Sequence, residues 1–204
     1  MCIRDRAMTV REAVKSPVYR ATLVTMFSHA WTNMGVRLSL IPLVADVALG
    51  NPGWLSGAAL TAGAIGTAVT VLGGGGLSDK YGRFAVVVPG LIIAGVFTSV
   101  MGIIGQPYVL VGFCVLAGLG AGLINPGNQG ALADVLGGRK GGNVVSTFQM
   151  SGDVGQIVGP LAIGAVADLW GFGPAFAISG AILIVAVLAW IPARGEAYSG
   201  YRSV

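Results

Sequence analysis

The sequence predicts an all-α membrane protein with six transmembrane helices in a 3+3 inverted repeat. Three observations carry that expectation. The 204 residues are 54% hydrophobic and only 10% charged, with 34 glycines and a mean hydropathy of +0.81, whereas soluble domains carry roughly a quarter charged residues. Six apolar stretches follow one another, each near the ~20 residues that a spanning helix needs. A short glycine–aspartate pattern then recurs three stretches after its first appearance.

The expected spans are Ala21–Leu49, Gly53–Leu77, Phe84–Gly105, Tyr108–Leu136, Asn143–Leu169 and Pro174–Ile191. Their connections carry turn chemistry: GNPG, SDKYGR, GQP, GGRKGG and WGFG. No linker divides residues 21–191, which form one transmembrane domain between two polar tails, 1–20 and 192–204. The first six residues, MCIRDR, resemble the translated read-through of a sequencing adapter and are set aside as foreign. They have no apolar stretch behind a basic start, so they are not a signal peptide. The chain is therefore expected to be a piece of a longer protein. Of the two cysteines, Cys2 and Cys114, neither belongs to a disulfide framework, and Cys114 in its apolar run reads as a small packing residue.

Charge placement gives the orientation. Arg11, Lys15 and Arg20 precede the first span, Lys80 with Arg83 and Arg139 with Lys140 follow the second and fourth, and Arg194 and Arg202 follow the sixth. The opposite loops, around Asn51, Gln106 and Trp170, hold no Lys or Arg. The positive-inside bias thus puts both tails and the SDKYGR loop in the cytoplasm of a multi-pass plasma-membrane protein. Trp54 and Trp170 are expected at the outer boundary and Trp190 at the inner one, where indoles prefer to sit. The net charge of +4 comes with no basic stripe and no interleaved aromatics, so no nucleic-acid partner is expected.

The internal echo is GGLSDKYG (Gly75–Gly82) against GAVADLWG (Gly164–Gly171). Both read Gly-x-x-x-Asp-x-x-Gly, at the ends of spans two and five. An offset of three spans turns the second copy to the other side of the bilayer, as an inverted repeat requires. Leu169 and Phe172 stand in the outer copy where Lys80 and Arg83 stand in the inner one.

The first copy, GGGGLSDKYGRF, invites a phosphate-loop reading that its context defeats. A phosphate loop needs Gly-Lys-Ser/Thr opening a helix after a strand; here Tyr81 follows Lys80, and the glycines close a membrane helix. Gly73 to Gly76 are expected to let helix ends approach closely, because helix contacts in lipid rely on small residues. Gly82 suits a tight turn at positive φ. The run Gly75-x-x-x-Asp79-Lys80-x-Gly82-Arg83 resembles the loop signature between the second and third helices of a major facilitator superfamily half. GQIVGPLAIG is similar to the Gly-Pro run of such carriers, with Gly155, Gly159, Pro160 and Gly164 in place. The resemblance covers nearly the whole chain after residue 6. It implies half of a major-facilitator-type bundle and a cytoplasmic gate motif whose Asp79 meets a helix of the other half. The alternative is a turn whose charges only enforce topology. N-terminal halves of the family often carry an Arg four residues before a Gly-x-Gly; Cys114 stands there, before Gly118 and Gly120. That departure implies the C-terminal half, with the N-terminal six-helix half missing.

Polar residues within spans are costly, about 2.5–3.5 kcal/mol for an ionisable group at the bilayer centre. His29, Asn33 and Arg37 recur at i, i+4 and i+8, and Gln149, Asp153 and Gln156 at i, i+4 and i+7, so each set shares a helix face. Asn125, Asn128 and Gln129 cluster around Pro126, where a helix break would free carbonyls. Two readings stand. The three faces line a water-filled cavity and bind substrate, as the resemblance implies for the first, fourth and fifth helices of a half. Otherwise Arg37 and Asp153 form a structural ion pair, His29 packs, and the amides cap the kink. Asp46 and Asp134 read as solvated boundary residues.

No catalytic set can be built on one histidine, and no cluster has metal-ligand spacing, so neither an enzyme nor a cofactor is expected. The expected function is secondary active transport of a small solute by alternating access, with a proton through Asp153 or His29 as the coupling guess. A six-span channel of water-channel type is the alternative, through Asn51-Pro52-Gly53 and Asn125-Pro126-Gly127. Those motifs sit after span one and inside span four, however, and not on re-entrant loops after spans two and five. A non-transporting membrane fragment is the third reading.

Overall fold

A computed structural model of the chain describes residues 7–47, 49–50 and 53–195, which are helical apart from short connections. The MCIRDR head, Asn51 and Pro52, and residues 196–204 with Arg202 lie outside the described residues. Thr9 caps a short helix α1 (Val10–Ala13), its hydroxyl accepting from the Glu12 amide. Pro17 opens α2 (Pro17–Trp31), where a missing N–H costs nothing. A π-helical segment (Thr32–Leu40) and α3 (Ile41–Val47) follow without a gap. The first expected span is therefore a composite helix over 17–47, with its middle turns wound to i→i+5 bonding.

Five further helices complete the chain: α4 (Leu55–Tyr81), α5 (Arg83–Met101), α6 (Pro107–Leu136), α7 (Gly142–Trp170) and α8 (Phe172–Trp190). Each of these five is long and apolar enough to cross a membrane. The expected SDKYGR loop is corrected: Ser78 to Tyr81 are the last turn of α4, and Gly82 alone separates it from α5. Backbone hydrogen bonding carries a helix past its apolar part into the polar boundary, so composition ends the span too early. No helix break occurs at Pro126 either, since α6 runs through it, as α5 and α7 run through Pro89 and Pro160. Membrane helices tolerate internal proline where neighbouring groups take up the freed backbone.

Gly82 has φ 89° and ψ 156°, and Gly171, the single residue between α7 and α8, has φ 86° and ψ 177°. Only glycine reaches this region without strain. The echo seen in the sequence thus coincides with two near-identical one-residue turns. The packing repeats in the same way. α4 packs on α6 as α7 packs on α2, α5 packs on α6 as α8 packs on α2, and α5 meets α8.

Lipid gives apolar helices no hydrophobic reason to associate, so close backbone approach must supply the contact. A Cβ on Gly66 would collide with the Val115 carbonyl, one on Gly118 with the Gly63 carbonyl, and one on Gly122 with Thr70 and the Thr67 carbonyl. Across the other seam, a Cβ on Gly155 would strike the Phe27 carbonyl, and one on Gly159 would lie 3.0 Å from the Trp31 carbonyl oxygen. Of the four glycines at 73–76, only Gly74 is in such a contact, 3.1 Å from Pro126 Cγ. Gly75 and Gly76 face open space, as does Gly164, because successive residues point around the helix and a run of four cannot all face one neighbour. Trp190, the last residue of α8, faces the protein and not its outer surface. It is fully buried among Leu91, Ile124 and Leu183, and its indole N–H donates to Thr25 Oγ1 at 2.8 Å.

Candidate functional site

Two arginines organise the polar chemistry of the bundle. At the α4–α5 turn, Arg83 donates from Nη1 to Asp79 and to Ser78 Oγ (3.0 Å), and from Nε to Asp134 Oδ2 (2.9 Å). The guanidinium side chain is 19% exposed, while Asp79 and Asp134 are 70% and 51% exposed. It lies over Gly130 of α6, where a Cβ would come within 2.6 Å of Cζ. The motif residue Arg83 therefore ties α4 to the end of α6, and Asp134, exposed near that helix end, belongs to this cluster. Lys80 is exposed and stands 5.4 Å from the Tyr81 ring centroid. Nearby, Arg139 grips the Glu12 carboxylate through both terminal nitrogens (2.9 and 3.2 Å), which raises its pKa from the usual guanidinium value. The Met8 amide bonds the Lys140 carbonyl, so α1 is held against the α6–α7 connection.

The second arginine, Arg37, lies inside the bundle. His29, Asn33 and Arg37 line one cavity of about 60 Å³, shared with Thr32, Thr98 and Cys114; one water needs only ~10–15 Å³. The wider winding of the π segment carries Asn33 and Arg37, and such segments recur at functional sites. Arg37 Nη2 donates to the Leu60 carbonyl at 3.3 Å. The guanidinium lies over Gly63, where a Cβ would come within 3.2 Å of Nη2.

The other expected faces do not reach this cavity. Gln149 and Asp153 are exposed on α7 and Gln156 is half-buried. Arg37 makes none of the ion pairs seen among the described residues, so the Arg37–Asp153 pair of the alternative reading is not formed. Asn125 and Gln129 are exposed on α6. Asn128 is buried and donates to the Thr22 carbonyl at 3.2 Å, leaving its Oδ1 without a partner. Asn125-Pro126-Gly127 sits within a continuous helix, which does not favour the channel reading. Sequence reasoning missed Gly63 and Gly130, the floors under the two arginines, and the cavity role of Cys114. Their signal was present only as glycine-rich spacing in spans two and four.

The family model described as Major Facilitator Superfamily matches residues 22–201. The multidrug resistance protein MdtH of Shigella boydii serotype 4 (strain Sb227) is 27% identical over 88 residues, covering 43% of this chain and 22% of that protein. MdtH of Enterobacter sp. (strain 638) is 29% identical over 88 residues, with the same coverage. Among solved structures, the peptide transporter POT in complex with alafosfalin superposes with a TM-score of 0.74 at 19% identity. That match covers 94% of this chain and 43% of the POT chain, and at such identity it shows the fold alone. The matched stretch thus spans about a fifth of the curated relatives' length and under half of the solved transporter's. A family model matching most of the chain, on a bundle of membrane-spanning helices with a shared transporter fold, shows that this chain belongs to the Major Facilitator Superfamily.

Proposed function

We propose that the chain is one six-helix half of a secondary carrier, the C-terminal one, which moves a small solute across the cytoplasmic membrane by alternating access. The observation that carries this reading is the coverage: the likeness takes in nearly all of this chain and less than half of a complete transporter. The paired packing and the twin glycine turns support a 3+3 inverted repeat. Both tails and the Asp79–Arg83 motif are cytoplasmic, where basic residues collect. There Arg83 holds Asp79 at the turn, poised to meet a helix of the missing half, and Gly75, Lys80 and Gly82 shape that edge.

The cavity residues His29, Asn33 and Arg37 bind solute from within. Asn125, Gln129, Gln149, Asp153 and Gln156 face the water-filled space between halves, Asn128 holds α6 to α2, and Gly155 and Gly159, on the same helix as Pro160 and Gly164, set the α7 packing. A coupling proton would use Asp153 or His29. Liposome uptake separates the readings: the chain alone is expected to be inactive, and the chain restored to its full upstream reading frame active. Transport by the six-helix form alone would overturn the half-carrier. In the completed carrier, Asp79→Asn is expected to cut transport severalfold with expression intact; unchanged transport would reduce the motif to a topology signal.

A further inference from the structure

We infer that the Arg37 cavity is a binding site for a small carboxylate, built entirely from this six-helix unit. The inference rests on the carrier reading for the solute's being transported and names the class of that solute. Its walls come from the composite first helix and from α4, α5, α6 and α8, so no residue of another half is needed to form it. The cavity holds one guanidinium beside His29, Asn33, Thr32 and Thr98, and no Asp or Glu lines it. One backbone carbonyl answers Arg37, at 3.3 Å, although a guanidinium carries five N–H donors in a fork that matches a carboxylate. A charge held among apolar walls calls for an opposite charge. One guanidinium balances one negative charge, so a monocarboxylate leaves the cavity neutral, whereas a dianion would leave it charged. Gly63 keeps the floor open, and Thr98 and Asn33 offer further donors to the second oxygen.

Cys114 lines the same cavity and serves as the reporter. Cys2→Ser leaves it as the chain's one thiol. The purified full chain in detergent is treated with the small neutral reagent methyl methanethiosulfonate, with and without sodium acetate, against sodium chloride of equal ionic strength. Acetate is expected to slow Cys114 modification severalfold where chloride does not. Arg37→Gln should abolish that protection, while Arg37→Lys, which keeps the cation and guards against a folding artefact, should retain part of it. Absence of acetate protection, protection that persists in Arg37→Gln, or a Cys114 that the reagent never reaches each overturns the site. Transport by the completed carrier without acetate protection would sink the carboxylate site and leave the carrier standing. Protection in a completed carrier that moves nothing would do the reverse.

Discussion

Arg83 and Arg37 each lie over a glycine, and they differ in what answers the charge. Arg83 sits at a helix junction, with Asp79 and Asp134 on two different helices. Arg37 sits within the bundle with one carbonyl and no carboxylate. The first arrangement is structural cross-linking at a wet boundary, where exposed partners make each pair worth about 0.2–1 kcal/mol. The second leaves a half-buried ionised group within the bundle and no carboxylate beside it, a placement whose cost reaches about 2.5–3.5 kcal/mol at the bilayer centre on insertion scales. A protein retains such a cost where the charge has work with a solute, and the contrast separates a scaffold arginine from a functional one.

The largest expected effect tests the two floors. Gly130→Val drives a Cβ to 2.6 Å from Cζ of an arginine that Asp79, Asp134 and Ser78 hold in place, and should destabilise the chain by about 1–3 kcal/mol, as overpacking does. Gly63→Val meets the Arg37 guanidinium at 3.2 Å, where a single carbonyl partner leaves it free to shift, and should cost under about 1 kcal/mol. Chemical unfolding in detergent reads both, and equal losses would break the contrast. The smallest expected effect tests the shared partner. Asp79→Asn and Asp134→Asn should each cost about 0.5 kcal/mol. The double change should exceed their sum by an interaction energy on the order of 0.5 kcal/mol, because only then is Arg83 left unanswered. Strict additivity would mean that the two carboxylates act independently.

Much of the fold is legible in the sequence because span formation is a local matter of composition and length. The positions of α4 to α8 follow from apolar runs, and the Gly82 and Gly171 turns follow from a repeated pattern. What failed depends on helix rotation and on contacts between distant residues. Asp134 is the exposed end residue it looked like, but its pairing with Arg83 escaped notice because that partner lies fifty-one positions earlier. Arg37 and Asp153 looked like partners by sign, yet one faces inward and the other lies on the surface of α7. The glycine run at 73–76 marked a close approach, but only the backbone phase singles out Gly74. The π segment has no signature that periodicity reads, although it carries three of the cavity's polar groups, Thr32, Asn33 and Arg37.

The sign of two stability changes tests the contrast most directly. Thermal unfolding of the chain in detergent should show Arg37→Gln raising the midpoint, a stabilisation of up to about 1.5–2.5 kcal/mol once the lost Leu60 hydrogen bond of about 1 kcal/mol is set against the removed charge. Arg83→Gln should lower it by about 1 kcal/mol. Opposite signs are the expected result; a midpoint that falls in both variants would mean that Arg37 is held in place for stability, as Arg83 is, and would contradict its assignment to a solute.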